Sequence, residues 1–102
     1  MHSRLVIFKV GPGKHSTIEG LVEEFDDLYR TQTGFRHVFI IGDEASGEYG
    51  SFSVWESKED AEAANAPECV AMLKKLHEQD VKTLEEVKNH VFGMIARKHG
   101  GK

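Results

Sequence analysis

Gly34 to Trp55, GFRHVFIIGDEASGEYGSFSVW, restricts what this chain can fold into more than any other stretch. Two runs rich in Val, Ile, Phe and Tyr flank a Gly/Asp/Glu/Ser/Ala connection from Gly42 to Gly47, the composition of two strands that reverse over a polar turn. Side chains alternate across a strand, so Phe35, His37, Phe39 and Ile41 are expected on one side of the first run and Arg36, Val38 and Ile40 on the other. Neither side is plainly polar. A small sheet with helices over one face would then carry a second apolar face, and a second subunit is the natural cover for it.

The same pattern opens the chain. Arg4 to Val10, RLVIFKV, is a β-branched and aromatic run with apolar residues on both faces, stopped by Gly11-Pro12-Gly13, and it suits the middle of a sheet. Ser16 and Glu19 have capping-box spacing, which predicts a helix starting near Ser16 or Thr17. Ile18, Leu21, Val22, Phe25, Leu28 and Tyr29 recur at three- and four-residue steps and draw its apolar stripe, while the acidic residues lie off it. Gly34 stands past the helix end, where a positive φ costs glycine least.

After the hairpin, Ser57 and Asp60 mark a second helix start, and SKEDAEAANA has helical composition. Pro67 suits the first turn of a further helix, so a helical segment broken near Ala66-Pro67 and ending near Asp80 is expected. Thr83 to Lys98 reads either as a helix, through Leu84, Val87 and Val91, or as a strand, through Val87, Val91 and Ile95. Gly93 and the dense Val-Phe-Gly-Met-Ile run argue against a long helix, and the order strand, helix, strand, strand, helix wants one more strand. A strand over Glu86 to Ala96 is therefore expected. The predicted class is α+β: a ferredoxin-like four-stranded antiparallel sheet with helices on one face, in one domain over 1–98 with a frayed tail at 99–102.

A length of 102 residues suits one core. With 13 Lys and Arg against 17 Asp and Glu the net charge is −4, and the basic residues gather only at Arg97, Lys98 and Lys102, so a nucleic-acid partner is not expected. Cys69 stands alone and cannot form an internal disulfide, which fits a reducing cytoplasm. No apolar run approaches the ~18 residues of a membrane span.

RLVIFKV, the amphipathic helix, TGFRHVFII, SFSVWESKEDAEAA and PECVAMLKKL together resemble the antibiotic biosynthesis monooxygenase family of the dimeric α+β barrel superfamily, and VWESKEDAEA is the most recognisable piece. The resemblance implies a homodimer whose bare sheet faces pair into a barrel. It also implies oxidation of a small aromatic of the quinol or polyketide type without metal or flavin. Histidines frequent on the family's helix after the Trp have Ala64 and Cys69 in their places here. The β1 Asn of the haem-degrading relatives has no match in RLVIFKV, and their helix Trp falls near Ala64, so haem degradation is disfavoured.

His37 is the candidate catalytic base, since an imidazole in an aromatic setting can take a phenolic proton near neutral pH. If Phe35 pairs with Trp55, His37 faces Ser53, Phe39 faces Ser51, and Tyr49 joins the same face beside Ile41. Phe39, Tyr49, Trp55, His77 and His90 are then the substrate-binding candidates. Each has a structural alternative: a satisfied core histidine at His37, a core plug at Trp55, a surface helix residue at His77, a subunit contact at His90. The six histidines lack metal-ligand spacing, so no metal and no cofactor are expected. A non-catalytic ligand-binding or assembly module on the same fold is the rival function.

Overall fold

The computed structural model describes residues 1–95, and of residues 65–69 the backbone alone. The expected tail at 99–102, the domain limit at residue 98, the basic group at Arg97, Lys98 and Lys102, and the Cys69 side chain therefore lie outside the described residues. The elements are β1 (His2–Lys9), α1 (His15–Glu19), α2 (Val22–Arg30), β2 (Phe35–Asp43), β3 (Glu48–Trp55), α3 (Lys58–Glu78) and β4 (Lys88–Gly93). The sheet runs β2-β3-β1-β4 with every neighbouring pair antiparallel. This is the expected ferredoxin-like arrangement, and the doubly apolar β1 takes a central place in it.

Three local expectations are corrected. The first helix divides at Gly20: Leu21 N–H bonds to Ile18 O at 2.9 Å, and α2 restarts from Leu21. Glycine holds a helix weakly, and the break lets Ile18, Leu21, Phe25 and Tyr29 all stay buried. Ser16 does not cap it; Lys14 occupies the N-cap of α1 without a side-chain bond. The second correction concerns α3, which continues through Pro67 instead of breaking. Ala61 and Ala64 before the proline and Met72 and Leu76 after it are all buried, so packing on both sides outweighs the backbone bond that proline removes. Its start is as expected, with Ser57 Oγ accepting from Asp60 N–H at 3.1 Å. It ends in a left-handed turn at Asp80 (φ 60°), with Val81 N–H on Leu76 O at 2.9 Å.

The third correction lies in the hairpin register. A bulge at Arg36 means that Phe35 pairs with Trp55 but His37 pairs with Val54, Phe39 with Phe52, and Gly42 with Tyr49. One extra residue reverses the alternation. Phe35 therefore joins Tyr29 and Trp55 on the helix side, with ring centroids 6.1 and 5.7 Å away, while His37, Phe39 and Ile41 face the other way.

The helix-side core joins Phe8, Val10, Ile18, Leu21, Phe25 and Tyr29 to Trp55, Met72 and Leu76. The opposite face presents Leu5 and Ile7 of β1, Phe39 and Ile41 of β2, Phe52 and Val54 of β3, and Phe92 of β4. Phe39 is 53% and Phe92 44% exposed, and no helix of the described chain packs there. Among the described residues no helix is long and apolar enough to cross a membrane.

Candidate functional site

The sequence-predicted site residues separate into three places. Tyr49 and Trp55 point to the helix side and are 3% and 0% exposed. His37, Phe39 and His90 stand on the open face, where the His37 ring lies 4.6 Å from Phe39 and the His90 ring 4.3 Å from Phe92, centroid to centroid. His37 and His90 occupy the two outer strands, three strand spacings or about 14 Å across the sheet, and are offset along it so that His37 is in line with Phe92 and His90 with Phe39. His77 is exposed near the end of α3. Within the chain these residues do not converge, because the bulge at Arg36 and the Gly42–Tyr49 pairing send them to opposite faces.

Under the helices the sheet carries a polar row. Trp55 Nε1 donates to Ser53 Oγ at 2.8 Å, Ser53 Oγ donates to Arg4 O at 3.3 Å, and the Tyr29 and Ser51 hydroxyls are hydrogen-bonded to each other. Arg4 is fully buried; Nη1 donates to Ala61 O at 2.8 Å, and the guanidinium lies 5.3 Å from the Trp55 ring centre and 5.7 Å from that of Tyr29. Trp55 thus plugs and braces the core. Next to this row, the crevice between α3 and β1 is lined by Val6, Phe8, Met72, Leu73, Leu76 and Val87 and measures about 10 Å³. That is room for about one water, with no titratable or nucleophilic side chain at its wall.

A larger opening lies at the other side of the helix layer, where α1 and α2 cross β2. It measures about 170 Å³, with walls from Ile18, Val22, Ile40 and Ile41 and with His15 and Tyr49 at its polar end. His15 Nδ1 and the Tyr49 hydroxyl are 3.3 Å apart. Gly42 opposite Tyr49 makes this possible, because a β-carbon there would collide with the Tyr49 ring. Glu19 Oε2 lies 4.0 Å from His15 Nε2 and Glu44 Oε2 3.9 Å from His15 Nδ1. Burial pushes the Tyr49 phenol up from its ordinary value, and the negative charges of Glu44 and Asp43 add to the shift. Sequence reasoning missed His15. Its signal was present in the one-turn spacing from Glu19, but the approach of Tyr49 depends on a register that alternation alone does not give. Among the described residues no group of three or more His, Cys, Asp and Glu could hold a metal ion.

No family model and no curated protein matches the chain. Solved structures do. SnoaB from Streptomyces nogalater, a cofactor-independent oxygenase, is 16% identical with a TM-score of 0.67, covering 99% of this chain and 97% of its own. A protein named an antibiotic biosynthesis monooxygenase is 12% identical with a TM-score of 0.69, covering 94% of this chain and 100% of its own. A mutant of MhuD holding two manganese protoporphyrin IX per active site is 14% identical with a TM-score of 0.71, covering 98% of this chain and 100% of its own. The chain has the fold that these proteins share, as its sequence resemblance led one to expect.

Proposed function

We propose that the chain works as a homodimeric, monooxygenase-like protein that oxidises a small aromatic of the quinol or polyketide type without a cofactor of its own. The observation that carries this reading is the uncovered face of Leu5, Ile7, Phe39, Ile41, Phe52, Val54 and Phe92, on a fold that it shares with a cofactor-independent oxygenase. Several large apolar side chains side by side are costly to leave in water, and a second copy presents the matching surface. Covered in this way, His37 beside Phe39 becomes an enclosed imidazole able to take a phenolic proton. The phenolate then supplies electrons to O₂; one oxygen atom stays on the ring carbon and the other leaves as water.

The test is O₂ uptake with a panel of quinols and anthrones, alongside sedimentation. Uptake that disappears in His37→Ala while the dimer persists supports the reading; uptake unchanged in that variant removes His37 from it. A non-catalytic binding module is the second reading. It is favoured by the cleft of about 170 Å³ between α1, α2 and β2, which is large enough for a small molecule and lies on the other side of the sheet from His37. Silence across the panel together with tight binding of a small molecule would select it.

A further inference from the structure

The cleft between α1, α2 and β2 lies on the opposite side of the sheet from His37 and owes nothing to a second copy or to oxygen. Its body is aliphatic, formed by Ile18 and Val22 from the helices and Ile40 from the strand. Its volume of about 170 Å³ is that of a single-ring ligand; an apolar cavity of about 150 Å³ takes up one benzene. Its polar end is acidic. Glu19 on α1 and Glu44 in the turn after β2 converge on the His15 ring from different elements, at 4.0 and 3.9 Å. These separations are too long for hydrogen bonds, so both carboxylates keep acceptor capacity. The Tyr49 hydroxyl, on a ring only 3% exposed, sits beside them as a further acceptor.

We propose that this cleft is a binding site for a single-ring arylalkylamine, with the ring against Ile18, Val22 and Ile40 and the ammonium group among Glu19, Glu44 and the His15–Tyr49 pair. An ammonium has three donors and no acceptor, which matches a polar end rich in acceptors. A tyrosine hydroxyl is uncharged at neutral pH, so that of Tyr49 is available to the ligand without adding a further negative charge. A carboxylate or phosphate on the same ring would meet Glu19 and Glu44 and be repelled.

The experiment titrates benzylamine, benzyl alcohol and benzoate separately into the full chain and follows the Ile and Val methyl resonances by NMR. Benzylamine should give saturable shifts at Ile18, Val22 and Ile40, bind about tenfold more tightly than benzyl alcohol, and leave benzoate without measurable binding. In the Glu19→Gln, Glu44→Gln double variant, whose changes are at exposed positions, the advantage of the amine over the alcohol should disappear while the alcohol still binds. Equal affinity for amine and alcohol in the unaltered chain overturns the charge assignment. Absence of any saturable shift with benzylamine to about 10 mM, or shifts confined to Ile7 and Val54 on the open face, overturns the site.

Discussion

Phe35 and His37 are separated by one residue and lie on opposite faces of the sheet, Phe35 packed on Trp55 and His37 facing away beside Phe39. In an unbroken strand they would share a face. Arg36 is what separates them, an extra residue exposed at the sheet edge whose guanidinium pairs with Glu56.

Replacing Arg36 and deleting it should therefore both leave Phe35 and His37 on their present faces. Arg36→Ala gives up only an exposed ion pair and should change stability by less than about 0.5 kcal/mol. Deleting the residue makes Phe35 and His37 consecutive in an unbroken strand, where ordinary alternation keeps them opposite Trp55 and Val54 on their present faces, and should cost no more than about 1 kcal/mol. Urea unfolding of the two variants, compared with the unaltered chain, reads both changes.

Phe39 and Phe52 are paired across β2 and β3 on the uncovered face. Sedimentation of the unaltered chain at micromolar concentration should give about twice 11.4 kDa. Phe39→Glu with Phe52→Glu should give a folded single chain, since neither change touches the helix-side core and each introduces a charge where the second copy would sit. Helical circular dichroism retained at half the mass is the expected result.

The alkaline behaviour of Tyr49 follows from its raised pKa. An unfolded tyrosine ionises near about 10, whereas the folded chain holds the proton beyond that point. The stability that this provides is complete below the unfolded pKa and is lost as the pH rises through the folded one. Tyr49→Phe should flatten the fall in stability above about pH 10 while leaving its slope between about pH 7 and 9 unchanged, as read by denaturant midpoints along a pH series.

Pro67 occupies the interior of a continuous α3, where its backbone cannot donate. Pro67→Ala restores a donor within the helix and should raise stability by up to about 3 kcal/mol, seen as a higher thermal midpoint with increased ellipticity at the helical band.

What could be read from the sequence was whatever rests on composition and period. RLVIFKV announced a central strand, the Ile18-to-Tyr29 stripe a buried helical face, and Ser57 with Asp60 a capped start; all of these stand in the structure. The final strand, read from Glu86 to Ala96, is present as the shorter Lys88–Gly93. What could not be read was anything that depends on counting past an irregularity. A bulge leaves no mark in hydrophobicity, so Tyr49 was placed beside His37 although the two lie on different sides of the sheet. Pro67 pointed to a break because its local cost is plain, whereas the burial on both sides that offsets it belongs to the tertiary structure. His15 gained its meaning only when the hairpin brought Tyr49 to it.

The central position of β1 bears on how the protein is made. His2–Lys9 leaves the ribosome before the three other strands of its sheet, yet its two neighbours are β3 and β4, the latter not complete until Gly93. A nascent chain must carry this greasy segment with one edge still unpaired through most of translation, a period in which chaperones have the most to grip and a ribosome stall before Gly93 would do the most harm.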